Sequence, residues 1–191
     1  MRAIEDHAQG AVLLALARAA IASEFGQRYP ADEQAAWLRE RGACFVTLTQ
    51  RGELRGCIGT LEAHRPLLQD VRANAVAAAL RDPRFAPLSA RELGQTEVEV
   101  SLLSPMQALA FASQADALAQ LRPGVDGVVF EYGARRSTFL PQVWEQLPDV
   151  DDFMAYLKRK AGLPTDFWHA DVRLQRYTVA KWKEGEHWLA A

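Results

Sequence analysis

Apolar positions along the chain alternate between helical and strand spacing. Near the N-terminus Ala8, Val12, Ala15, Leu16, Ala19 and Ala20 recur on one helical face, which predicts an amphipathic first helix. Residues 32–41 read as a second, short helix stopped by Gly42. Residues 43–49 and 53–61 are β-rich and flank a Gln50-Arg51-Gly52 turn. Pro66 then opens an alanine-rich helix over 67–81, with Leu67, Val71, Ala75 and Ala78 on one face and Asp82-Pro83 as its stop.

Farther on, Ser89 and Glu92 form a capping-box pattern. Thr96, Val98, Val100 and Leu102 alternate with Glu97, Glu99 and Ser101, the signature of a half-buried strand. Ser113 caps a helix closed by Pro123-Gly124, and residues 126–132 and 136–140 predict a hairpin around Gly133. Pro141 starts a short helix, Asp151 or Asp152 caps one over 153–161, and 172–181 is the last strand candidate. Strands in pairs with helices between them predict an α+β fold with a mostly antiparallel sheet.

Composition narrows the function classes. The 191 residues are 49% hydrophobic and 24% charged, an ordinary globular balance. A net charge of -2 and a pI near 6.1 disfavour RNA binding through bulk charge, and equally an anionic membrane surface. The apolar run 11–22 follows Glu5, Asp6 and His7 and contains Arg18, so it reads as a helix of a cytoplasmic protein and not as a leader. Two cysteines and four histidines, without metal-ligand spacing, predict no metal site. Phe167, Trp168, Trp182 and Trp188 read as core aromatics.

One stretch departs from ordinary strand composition. Gly56 and Gly59 bracket Cys57 and Ile58, and glycines within a strand mark a bulge or a close approach to the backbone. A three-residue turn sets Cys44 opposite Ile58, Val46 opposite Gly56 and Leu48 opposite Leu54. The two cysteines then point to opposite faces and cannot bridge. A four-residue loop is the alternative and places both on one face. Arg55 and Cys57, two apart, share a face, where a guanidinium favours a thiolate. The same residues also read as a small buried hydrophobe beside a salt-bridged arginine. Asp82 and Arg84, fixed by Pro83 and Pro87, form a candidate anion-recognising loop around Phe85, or a plain helix stop. Glu97 and Glu99 are candidate partners for Arg55 or Arg84, and Arg135-Arg136 for phosphate; each also reads as a solvated charge.

At these residues the sequence resembles the AMMECR domain family, whose bacterial and archaeal members are called AmmeMemoRadiSam system protein A. The resemblance is carried by Phe45-Val46-Thr47-Leu48 and by Gly52-Glu53-Leu54-Arg55-Gly56-Cys57-Ile58-Gly59. It continues through Asp82-Pro83-Arg84-Phe85 with Pro87-Leu88, residues 98–105, Gly124-Val125-Asp126-Gly127, residues 139–144, and 158–163 with Trp168. The resemblance implies a single domain of two lobes, a larger one near 1–61 and 95–191 and a smaller, largely helical one near 62–94. It places the signature, with Arg55, Gly56, Cys57 and Gly59, near the cleft between the lobes; Thr60, Asp82, Arg84 and Glu99 are further candidate ligand- or partner-binding residues, and Cys57 the candidate catalytic one. It implies a Memo-like protein and a radical-SAM protein as partners and a role in a modification pathway, with RNA suggested as its target; it names no cofactor. Two readings stay open. One is an accessory component that binds a ligand or partner. The other is an enzyme with Cys57 as nucleophile or thiol ligand and Arg55 and Arg84 holding a small anionic substrate.

Overall fold

The computed structural model describes residues 2–185, with side chains from Ala8 onward. The side chain of His7, together with His187 and Trp188, lies outside the described residues. In chain order the elements are α1 (Arg2–Glu24), β1 (Arg41–Gly42), β2 (Cys44–Gln50), β3 (Glu53–Gly59), β4 (Arg65–Pro66), α2 (Leu67–Leu80) and β5 (Glu97–Leu103). Then follow β6 (Gln107–Ala108), α3 (Gln114–Ala119), β7 (Gly127–Tyr132), β8 (Arg135–Phe139), α4 (Val150–Lys160), β9 (Arg173–Tyr177) and β10 (Val179–Lys183). The fold is α+β with antiparallel pairing in its sheets, as the alternation of patterns predicts.

The chain divides into two compact units, Met1–Leu103 with Ala180–Ala191, and Ser104–Val179. Residues 62–94, expected as the smaller lobe, instead carry α2, which joins the core of the first unit. The second unit is not largely helical: it holds a four-stranded sheet, ordered β6-β9-β7-β8. Its core gathers Val128, Phe130, Trp144, Phe153, Met154, Leu157 and Leu174. Trp144 stacks on Phe153 at 3.7 Å. Phe167 and Trp168 pack against this core, whereas Trp182 belongs to the first.

In the first unit a sheet ordered β10-β5-β2-β3 packs one face on α1 and α2. Cys44, Val46, Leu48, Val98 and Val100 face inward and are fully buried. The buried side of α1 is Leu13, Leu16, Ala17, Ala20 and Ile21, rotated from the predicted stripe because the larger leucines seek the core before the alanines. Arg18 is buried among them. It donates to the Leu93 and Thr96 carbonyls and pairs with Glu184, so this charge is compensated inside the core. Residues 32–41 form no α-helix; a single 3-10 turn at Ala36–Arg39 is their regular structure before β1 begins at Arg41. Asp149, not Asp151 or Asp152, caps α4, accepting from both their backbone N–H groups. The predicted last strand is two strands, β9 and β10, that serve different sheets. No described helix is long and apolar enough to cross a membrane.

Candidate functional site

The β2–β3 hairpin carries the motif, and its register differs from the one the turn predicted. Val46 opposes Ile58, Thr47 opposes Cys57 and Leu48 opposes Gly56, a shift of two residues. A shift of two preserves the faces, so Cys44 still points inward and Cys57 to the other face. The predicted turn lacked one feature, a bulge. Between Leu48 and Thr49 the pairing jumps from Gly56 to Leu54, leaving Arg55 unopposed. Beyond it Leu54 opposes Thr49 and is 43% exposed, so it is not part of the apolar face. Arg51 and Gly52 take positive φ at the turn.

Each unusual residue of β3 answers to a neighbour. A Cβ on Gly56 would lie 2.1 Å from the carbonyl oxygen of Ala78, so this glycine lets α2 sit directly on the strand. A Cβ on Gly59 would enter the Phe45 ring, which covers the opposed glycine across the pair. Arg55 donates from Nε and Nη2 to Glu92 Oε1, both at 3.1 Å. Its guanidinium is therefore committed to Glu92 and is not placed to activate Cys57 as the spacing suggested. Glu92 also accepts from the Ser89 N–H and hydroxyl at 2.8 Å. These bonds, with that from Arg55, pull its carboxyl down to about 2.

Thr60, at the end of the motif, enters a buried polar network on α2. Its hydroxyl donates to Asp70 Oδ1 at 2.8 Å, and Arg65 Nε donates to the same oxygen at 2.7 Å. Asn74 Nδ2 donates to the Cys44 carbonyl at 3.0 Å, and the Cys44 N–H donates to Asp70 Oδ2 at 2.9 Å. The Cys44 thiol is pushed well above its ordinary range by burial, with the Asp70 charge adding to the effect.

β3 is an edge strand, and its outward backbone groups need partners. Asp82 and Arg84 supply them at Cys57. The Cys57 N–H donates to Asp82 Oδ2 at 2.9 Å, and Arg84 Nη2 donates to the Cys57 carbonyl at 3.2 Å. Arg84 also forks onto Asp82, Nε to Oδ1 at 2.9 Å and Nη2 to Oδ2 at 2.7 Å. The fork holds the Asp82 carboxyl far below the usual carboxylate range despite burial that opposes it.

The Cys57 side chain faces away from the helices and is half-buried. Its neighbour is Thr47, whose hydroxyl donates to Sγ at 3.3 Å. Thr47 in turn opposes Glu99 on β5, and Glu99 pairs with Lys181 on β10 at 3.4 Å. Cys57, Thr47, Glu99 and Lys181 thus form one polar row across the four strands. Glu99 and Glu97 do not pair with Arg55 or Arg84, because β2 lies between β5 and β3; Glu97 pairs with Lys183 instead. Arg135 and Arg136, in the second unit, bond to the Gly162 carbonyl and to Glu131. Among the described residues no group of three or more His, Cys, Asp or Glu side chains is placed to hold a metal ion.

The structure therefore gathers Cys57, Gly56, Asp82 and Arg84 at one point of the edge and sets Glu99 on the same row. It sends Arg55 and Thr60 to separate anchors. Asp70, Asn74 and Glu92 are hydrogen-bond partners of the candidate residues that residue patterns did not single out. Their signals were present: two polar residues at i, i+4 on an alanine-rich helix, and the acidic end of a capping box.

Comparison with known proteins is consistent across sequence and structure. The AMMECR1 family model matches residues 14–182. A protein of Methanothermobacter thermautotrophicus is 39% identical over 175 residues, covering 88% of this chain and 91% of its own. One from Thermotoga maritima is 40% identical over 147 residues, covering 76% and 79%. The crystal structure of an uncharacterized protein from Pyrococcus horikoshii superimposes with a TM-score of 0.77 at 31% identity, covering 92% of this chain and 91% of that one.

Proposed function

The chain belongs to the AMMECR1 family, and from that premise we propose that it is an accessory, partner-binding component of a modification system containing a Memo-like and a radical-SAM protein. The observation that carries the accessory reading is the environment of Cys57. A thiol nucleophile needs a base or a committed cation within reach. The hydrogen bond to its sulfur comes from the Thr47 hydroxyl, a donor and not a base; Arg55 is taken by Glu92, and Arg84 is paired with Asp82. The polar row Cys57–Thr47–Glu99–Lys181 supplies a face with a thiol, a hydroxyl and both charge signs, suited to docking a partner with complementary groups.

Arg84 beside Cys57 favours a second reading, an enzyme that uses the thiol against an anionic substrate. Co-expression with a Memo-like and a radical-SAM protein separates the two. In the accessory reading, wild-type chain and Cys57→Ala co-purify with a partner, while Thr47→Arg does not and keeps its thermal midpoint. Assembly that survives Cys57→Ala with loss of product formation replaces the accessory reading by the enzymatic one. Absence of any co-purified partner removes the accessory reading.

A further inference from the structure

Asp82 is a buried carboxylate, its side chain 2% exposed, whose partner Arg84 is 54% exposed. The pair caps both outward backbone groups of Cys57, Asp82 its N–H and Arg84 its carbonyl, and in doing so holds a cation in fixed position at the solvent face of the edge. The hydrogens of Arg84 can be assigned one by one. Nε and one hydrogen of Nη2 go to Asp82, and the other hydrogen of Nη2 goes to the Cys57 carbonyl. The two hydrogens of Nη1 have no acceptor among the described residues. The Asp82 carboxylate also receives the Arg84 N–H at 3.1 Å, so backbone and side chain are tied to one anchor.

We propose that Arg84 is a preset oxyanion-binding group whose Nη1, at the β3 edge beside Cys57, receives a carboxylate or phosphate. The proposal deepens the partner-binding reading above and rests on it for the biological source of the anion. The physical basis is preorganisation. A free arginine loses rotamer entropy when it grips an anion, and Asp82 has already removed that freedom. A lysine here would carry the charge without the fork that makes the position fixed.

The second unit supplies a built-in control. Arg122 pairs with the buried Asp126 and is also 54% exposed, but its Nε at 3.1 Å and Nη2 at 2.6 Å both converge on Oδ1, and its side chain makes no bond to a strand carbonyl among the described residues. Side-chain arginine signals of the 15N-labelled chain are followed while sodium phosphate, and in a second arm sodium acetate, is titrated against sodium chloride at constant ionic strength. Arg84 is expected to shift saturably and Arg122 only in proportion to added salt. Saturation with phosphate alone identifies a phosphate-bearing ligand; saturation with both identifies a general oxyanion site. Equal responses at Arg84 and Arg122, or no saturation in either arm, overturn the proposal. Arg84→Lys, checked for an unchanged thermal midpoint, is expected to lose saturable binding of the anion; retention shows that the fixed fork is not used. The titration uses the chain alone. A saturating Arg84 in a chain that captures no partner keeps the anion site and discards the partner reading, and the converse result does the reverse.

Discussion

Cys44 and Cys57 sit on adjacent strands of one sheet and face opposite ways. Cys44 is fully buried against α2, its backbone tied to Asp70 and Asn74. Cys57 is half-buried, its backbone tied to Asp82 and Arg84, with its side chain in a polar row. In both cases the backbone is held by a carboxylate from the α2 region. The side chains differ only because strand residues alternate between faces. The comparison teaches that the motif is two devices in one strand. Its backbone and glycines hold the sheet to α2, and its outward side chains are left to meet something else. Changes to the first should cost stability, and changes to the second should leave it nearly untouched.

The largest effect is expected at Asp70, which is completely buried and serves Thr60, Arg65, Asn74 and Cys44 at once. Asp70→Ala should cost about 3–5 kcal/mol in urea unfolding, because it leaves several buried donors uncompensated. A loss under about 1 kcal/mol would show that the network is not what binds β2 to α2. Gly56→Ala comes next, at about 1–3 kcal/mol, since the new methyl must push backbone and not a flexible side chain. A neutral Gly56→Ala would break the close-approach account of that glycine.

A smaller effect should appear on acidification. Glu92 has a folded-state carboxyl near 2 against 4.5 in the unfolded chain, and Asp82 is lowered in the same direction. A depressed folded value means the unfolded state binds the proton first. The stabilisation is therefore complete above about pH 4.5 and is lost as pH falls towards 2. Thermal midpoints measured across that range should fall, and Asp82→Asn should flatten part of the slope. An unchanged slope in that variant would remove Asp82 from the account. The smallest expected change is Cys57→Ala, within about 0.5 kcal/mol of wild type, as for a side chain outside the core. A thiol reagent should label Cys57 in the folded protein and Cys44 only after unfolding. Simultaneous labelling of both would erase the distinction between the two faces.

The hydrophobic periods made most elements legible. Residues 67–81 read as a helix and form one, because Pro66 and Asp82-Pro83 bound an alanine-rich run with no competing signal. The opposite facing of the two cysteines was legible too, since the faces survive any register shift of two. The bulge at Arg55 was not. The partner that holds its guanidinium, Glu92, lies 37 residues away in sequence, where no local pattern announces it. The short stretch 32–41 reads as helical by composition but forms only a 3-10 turn, since so short a segment does not repay the cost of nucleating an α-helix alone. Asp82 and Arg84 were legible as an unusual loop, but nothing local says that the loop caps the edge of β3.

The sequence by itself determined the class of fold, the position of the motif on a glycine-interrupted strand and the membership of a family. These follow from residue periods and from blocks that occur in order, and both are local properties of the chain. Only the tertiary structure decided which arginine belongs to which carboxylate. Three arginines of the motif region, Arg55, Arg65 and Arg84, and three acids, Glu92, Asp70 and Asp82, allow many pairings on paper. Ion pairs are selected by distance after the strands and helices have packed, and packing is set by the apolar face on the other side of the sheet. The result moves attention from Arg55, next to Cys57 in sequence, to Arg84, next to it in space.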